Sequence, residues 1–286
     1  MKFTKMHGCG NDYVYVDCTE GLELGDEAAL AQKVSDRHFG IGSDGLILIK
    51  RGKTADFEMV MYNADGSRSQ MCGNGIRCVG KFVYDKGVTG GRGFTVESMG
   101  AVKKLTVVSG KPGDRLSKLS VDMGKPILAA KKIPVALDNE ECVIMRPLEV
   151  EGKEYKITCV SMGNPHAVVF IDKKPADFPV CELGPYFENH KFFPERTNTE
   201  FAYVENRRTI WMRVWERGTG ETLACGTGTC ATVVAAIMNG LVDAGEKITV
   251  HLLGGDLEIQ WSGREEDSVF MTGPAENVFE GQIEKE

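Results

Sequence analysis

Cys72-Gly73-Asn74-Gly75 and Cys225-Gly226-Thr227-Gly228 are one pattern written twice, 153 residues apart. The same spacing separates Gly10-Asn11 from Gly163-Asn164, and Tyr62-Asn63 from Trp215-Glu216. Three motifs at one offset imply an internal duplication. Phe94-Thr95-Val96 and Ile248-Thr249-Val250 continue the match at an offset of 154, which a single inserted residue explains.

Outward from the two cysteines, both copies read alike. A strand (13–17; 167–171) follows the Gly-Asn turn, and a longer strand (57–62; 209–215) ends in a turn-rich segment, NADGS or ERGTG. The Cys-Gly-x-Gly motif then enters a helix, expected over 74–86 with a stop at Gly87 and over 228–239 with a stop at Gly240. The second helix is apolar on nearly every side, so sheet must enclose it. The first is similar around Ile76, Val79, Gly80 and Val83, with Arg77 and Lys81 expected to reach out to solvent. An amphipathic helix over 26–37, capped by Asp26, belongs to the first copy.

The fold expected is therefore α+β: two pseudo-symmetric duplicated domains, each a curved, mainly antiparallel sheet rolled around a central helix, with the active site in the cleft between them. The N-terminal domain is placed at 1–124 and completed by 273–286, where Val278, Phe279 and Ile283 finish its sheet; the C-terminal domain is placed at 125–272.

Composition narrows the function. The 286 residues suit about two domains at ~100–200 residues each. Lys and Arg number 34 against 41 Asp and Glu, a net charge of −7, and no basic run exceeds a pair, which argues against nucleic acid and anionic membrane as partners. The longest nearly apolar run, 231–238, falls far short of the ~18 residues of a membrane span, and MKFTKMHGCGND carries no apolar stretch of export-signal kind. Nine cysteines without a CxxC pair read as thiols kept reduced in a cytoplasm. Cys9, Cys18, Cys78, Cys142, Cys159, Cys181 and Cys230 are expected to be packing residues, and Trp211, Trp215 and Trp261 core. Metal-ligand spacing is absent, so no metal is expected.

Cys72 and Cys225 carry the chemistry. Each precedes a helix whose first N–H groups lack intrahelical partners, a setting that draws a thiol pKa from ~8.5 toward ~3.5–7.5. Bare glycine backbone lets a substrate carboxylate approach the same amides. Two thiols flanking one substrate suit inversion of a carbon centre, with one removing a proton and the other returning one to the opposite face.

Gly10-Asn11-Asp12, NADGS (63–67), MCGNGIRC (71–78), GNPH (163–166), RTNTEF (196–201) and ERGTGETLACGTG (216–228) together resemble the diaminopimelate epimerase family. The resemblance implies a cofactor-independent enzyme that interconverts LL- and meso-diaminopimelate in lysine and peptidoglycan precursor synthesis, works as a homodimer, and uses Cys72 and Cys225 as its acid/base pair. It implies that Asn11, Asn63, Asn164 and Asn198 contact the substrate, that Glu216 and Arg217 supply its acidic and basic contacts, and that Gly73, Asn74, Gly226 and Thr227 hold the reacting carboxylate. His166 is a candidate modulator of the thiols. Some family members carry a side chain such as Gln at position 45 that reaches the substrate, a contact Gly45 cannot make. The rival reading within the same chemistry is a proline racemase or hydroxyproline epimerase; Glu216-Arg217 and the asparagines favour a longer, doubly zwitterionic substrate.

Overall fold

The computed structural model describes residues 1–69, 72–137 and 141–284; Met71, which opens the motif at 71–78, and the last two residues of the 273–286 segment lie outside the described residues. The chain divides into two units, Met1–Val121 with Thr272–Glu286, and Asp122–Met271.

The first half runs β1 (Lys2–Gly8), β2 (Asn11–Asp17), α1 (Glu27–Ser35), β3 (Gly45–Arg51), β4 (Phe57–Asn63), β5 (Arg68–Ser69), α2 (Gly73–Asp85), β6 (Gly93–Ser98), β7 (Ala101–Ser109) and β8 (Leu116–Gly124). The second runs β9 (Arg146–Val150), β10 (Lys153–Ser161), β11 (Pro165–Phe170), α3 (Val180–Glu188), β12 (Asn198–Asn206), β13 (Thr209–Glu216), β14 (Gly220–Thr222), α4 (Gly226–Met238), β15 (Lys247–Leu252) and β16 (Gly255–Gln260), and β17 (Val269–Gln282) ends the chain.

Pairing repeats with the sequence. In the first unit β1–β2, β3–β4 and β6–β7 are antiparallel, while β2–β3 and β4–β6 are parallel. In the second, β10–β11, β12–β13 and β15–β16 are antiparallel, while β11–β12 and β13–β15 are parallel. Each parallel pair is joined through a helix, as parallel neighbours require. β7 pairs with β8, β8 with β17, and β17 with β1, so the first unit's sheet closes on itself and has no open edge along this circuit. The tail pairs with β1, and Val278 and Phe279 on it are each 47% exposed.

Local chemistry sets the elements that matter. Cys9 and Gly10, at φ 53° and 82°, form a two-residue hairpin loop that delivers Asn11 at the start of β2. Asp26 caps α1 by accepting from the Ala29 amide at 3.0 Å. α2 packs against β1, β2 and β7, and a Cβ at Gly80 would lie 2.6 Å from Leu119 and 2.8 Å from Leu105. Only a glycine lets the helix approach the sheet this closely. α4 packs against β10, β11, β12 and β16 with Ala231, Val233, Val234, Ala235 and Ala236 fully buried. Each valine there contributes about 1.5–3 kcal/mol.

Several sequence expectations need correction. Arg77 and Lys81 do not reach solvent; both are completely buried. Arg77 donates to the carbonyls of Gly73 (3.0 Å) and Pro274 (3.2 Å) and to Asn74 Oδ1 (2.9 Å), and Lys81 donates to Asp85 (2.6 Å) and the Asp114 carbonyl (2.5 Å). Interior acceptors thus replace water around both charges. Trp261 is core, but Trp211 and Trp215 are half-buried with their indole N–H groups on Glu205 and Glu188. Cys142 and Cys181 are exposed rather than packed. Among the described residues, no helix is long and apolar enough to cross a membrane.

Candidate active site

Both motif cysteines are helix N-caps with extended backbones, Cys72 at φ −131°, ψ 114° and Cys225 at φ −118°, ψ 113°. Each sulfur accepts from the amide three residues on, Gly75 at 3.2 Å and Gly228 at 3.4 Å. A sulfur therefore occupies the place a Ser or Asp oxygen takes in an ordinary cap. The duplication has preserved this geometry in both units.

In the first unit, Cys72 Sγ donates to Asn11 Oδ1 at 3.1 Å, and Asn11 Nδ2 donates to Asp44 Oδ2 at 2.8 Å. Asp44 also accepts from the Asp12 amide and from Arg37, which bonds Asp12 as well. Gly73 and Asn74 begin α2 directly behind the thiol, and Arg77, one turn on, holds the Gly73 carbonyl and the Asn74 side chain. Asn63 ends β4 in the NADGS turn, where its side chain donates to Ser67 at 3.0 Å. Strand register aligns Tyr13, Gly45 and Asn63 in one row across β2, β3 and β4.

The second unit contains the equivalent row. His166 on β11 pairs with Asn198 on β12, and Glu216 follows Trp215, the partner of Thr199, on β13. Asn198 donates to the Pro165 carbonyl (2.8 Å) and accepts from the Arg217 amide (2.9 Å), so its side chain fixes the turn that bears Arg217. The Arg217 guanidinium donates to the Glu195 carbonyl at 2.9 Å, whereas Glu216 accepts from Thr222 at 2.5 Å. Thr227 Oγ1 lies 3.5 Å from Cys225 Sγ. Burial raises the Glu216 carboxyl above its ordinary value.

Three features escaped the sequence. Glu200, completely buried, lies 2.7 Å from Nδ1 of the equally buried His166, whose Nε2 meets Asn164 Oδ1 at 3.0 Å. A Cβ at Gly228 would be 2.5 Å from Glu200 Oε1, which shows how closely this carboxylate approaches the helix start behind Cys225. The available signal was an acid two residues beyond Asn198 on a strand, hence on the same face. Second, Tyr13 heads the first unit's row almost completely buried, and burial followed by the charge of Cys72 pushes its hydroxyl well above the ordinary phenol range. Third, the Cys225 thiol is not drawn down by its helix. Burial first, then the charges of Glu216 and Glu200, push it well above an ordinary thiol, so it holds its proton.

The profile described as diaminopimelate epimerase matches residues 3–129 and 158–278. Diaminopimelate epimerase of Acetivibrio thermocellus is 53% identical over 99% of both chains, and that of Methanococcus maripaludis is 51% identical over 99% of this chain and all of that one. Among solved structures, a hydroxyproline epimerase from Agrobacterium vitis superposes with a TM-score of 0.66 at 13% identity, covering 99% of this chain and 90% of that one. A phenazine biosynthesis protein of the PhzF family from Bacillus anthracis gives 0.67 at 14%, covering 100% and 99%. These two share the fold. With matched motifs spread along both halves and half of its residues identical to such relatives, the chain belongs to the diaminopimelate epimerase family.

Proposed function

We propose that this protein interconverts LL- and meso-diaminopimelate by two-base proton transfer between Cys72 and Cys225, without a cofactor. The observation that carries the reading is the repeated cap: two thiols, each on a helix start and each bonded to a glycine amide. A binding protein for the same ligand needs the polar groups but neither sulfur. A cysteine hydrolase needs one nucleophile, not two. Identity of about half the residues to named diaminopimelate epimerases favours this substrate over proline or hydroxyproline, for which only the shared fold speaks.

Cys72, as thiolate, takes the α-proton; the Cα–H electron pair passes into the adjoining carboxylate, and the planar carbanion is reprotonated on its other face by the Cys225 thiol. One S–H bond forms as another breaks, leaving Cys72 protonated and Cys225 as thiolate. The surroundings of Cys225 support its part, since burial and the Glu216 and Glu200 carboxylates favour its protonated form. Reversal runs from the opposite state, and exchange with solvent resets the pair. The amides of Gly73, Asn74, Gly226 and Thr227 stabilise the charge that develops on the carboxylate. Asn11, Asn63, Asn164, Asn198, Glu216 and Arg217 bind the rest of a substrate with an ammonium and a carboxylate at each end. His166 tunes the second thiol through its neighbours. We further infer a cytoplasmic homodimer, in keeping with nine cysteines that contain no CxxC pair and with the family resemblance.

Incubation of purified protein with LL-diaminopimelate in metal- and cofactor-free buffer, followed by chiral analysis, tests this. Meso product is expected from the wild type; its absence, with turnover of proline or hydroxyproline instead, overturns the substrate assignment.

A further inference from the structure

Asp44 directly precedes β3 and is held at both its backbone and its side chain. Its amide donates to the Asp12 carbonyl at 2.8 Å, and its own carbonyl accepts from the Ala64 amide at 3.0 Å. One carboxylate oxygen accepts from Arg37 at 2.9 Å. The other accepts from the Asp12 amide at 3.1 Å and from Asn11 Nδ2 at 2.8 Å.

A carboxylate paired with a guanidinium only accepts hydrogen bonds, so the side of the Asn11 amide turned toward Asp44 must be its NH2 group. Asn11 Oδ1 is thereby left facing Cys72 Sγ, at 3.1 Å. An oxygen in that place accepts from S–H but repels S⁻, so it favours the thiol. The Gly75 amide, which donates to the same sulfur at 3.2 Å, favours the thiolate. Cys72 stands between one group that holds its proton and one that helps release it.

We propose that Asp44 is a positioning residue for Cys72: it locks the Asn11 amide with its oxygen toward the sulfur and so keeps the proton on Cys72 in the free protein. The proposal rests on the two-thiol reading above and adds a balance to it. Two thiols that exchange the parts of acid and base must hold their protons with comparable strength, because a thiol that never regains its proton serves one face only. In the second unit the Glu216 and Glu200 carboxylates favour the proton on Cys225; in the first, the Asn11 oxygen does so on Cys72. When Cys72 acts as the base, this proton has gone to solvent. Charge alone is the weaker route from Asp44 to the sulfur, since its side chain is 39% exposed and paired with Arg37. The other titratable and charged groups around Cys72 are Tyr13 and Tyr15 on β2, Cys78 and Arg77 on α2, and Lys5 on β1 with its partner Asp12. All of them remain when only Asp44 is changed.

Asp44→Ala frees the Asn11 amide to turn its NH2 group to the sulfur, whereas Asp44→Asn removes the charge and keeps an oxygen for Asn11 Nδ2. The test follows iodoacetamide alkylation of Cys72 against pH by peptide mapping, with exposed Cys181 as the internal reference. Exchanging an acceptor for a donor should lower the Cys72 midpoint in Asp44→Ala by about one pH unit or more, while Cys181 stays put. Asp44→Asn should titrate like the wild type, and Asn11→Ala, which removes the oxygen itself, should titrate lower. An unmoved or raised Cys72 midpoint in Asp44→Ala or Asn11→Ala overturns the proposal. So does an equal shift at Cys181, which would report general loosening, and so does a full shift in Asp44→Asn, which would show the charge acting directly. If Asp44→Ala does not fold, the other two variants still decide. The measurement needs no turnover, so it can fail while the epimerase assignment stands, or succeed while that assignment fails.

Discussion

His166 Nδ1 and Glu200 Oε1 lie 2.7 Å apart with both side chains completely buried, and the second carboxylate oxygen of Glu200 has no hydrogen-bond partner among the described residues. A carboxylate enclosed in this way acts strongly on whatever else is enclosed with it. Cys225 is the neighbour that matters, because Glu200 raises its proton affinity. Glu200→Gln removes the charge at nearly constant volume, so the thiol should lose its proton more readily. With Cys225 as acid, the basic limb of the kcat/KM profile should move to lower pH by about one unit. A limb left in place would mean that the buried carboxylate does not govern this thiol.

On the proposed two-base mechanism, either thiol alone should be useless. Cys72→Ala and Cys225→Ala are each expected to lower turnover by at least ~10²-fold, the lower range for a lost general acid or base, with far-UV circular dichroism and Tm near those of wild type. Retention of more than a few per cent of the rate by either variant is incompatible with two-base transfer.

Stability should fall in alkali. Burial pushes the Cys18 thiol up to about 11 and Cys78 up to about 12. Both hold their protons more tightly folded than unfolded, where a thiol titrates near ~8.5, so the folded state binds more protons and stability declines as pH rises. Their contribution is complete below about pH 8.5 and is lost as the pH climbs through the folded values. Urea midpoints at pH 7.5, 9 and 10.5 should decrease in that order, and less steeply in Cys78→Ala. A flat series would refute the assignment.

Asp85 is the carboxylate that answers a fully buried ammonium, Lys81, at 2.6 Å, and it also accepts from the Gly113 amide and Asn277. Asp85→Ala strands the charge inside the first unit and should cost about 3–5 kcal/mol in urea unfolding. A loss below about 1 kcal/mol would mean that the Asp114 carbonyl and water suffice for Lys81.

These cases mark where sequence reading succeeds and where it stops. The duplication, the helices behind Cys72 and Cys225, and the Asp26 cap were legible because their causes are local: glycine spacing, a cap residue, the period of apolar positions. Arg77 was misread because one of its acceptors, the Pro274 carbonyl, lies 197 residues away, and Lys81 because the Asp114 carbonyl reaches it from 33 residues off. Glu200 meets His166 across neighbouring strands, so their pairing depends on register, which no single motif contains. The helix-dipole argument at Cys225 was sound in kind but incomplete, since the desolvation and the two carboxylates that outweigh it come from packing. α3, with Pro185 inside it, carried no signal that the periodicity could use.

The most direct measurement is early-time mass spectrometry of both epimers during reaction in deuterium oxide, started separately from LL- and from meso-diaminopimelate. With one thiol removing the α-proton and another delivering a solvent-derived one, the product should carry deuterium at its α-carbon while the remaining substrate is still unlabelled, in both directions. Product that keeps its original hydrogen at low conversion would show one base serving both faces, and would contradict Cys72 and Cys225 as an opposed acid and base.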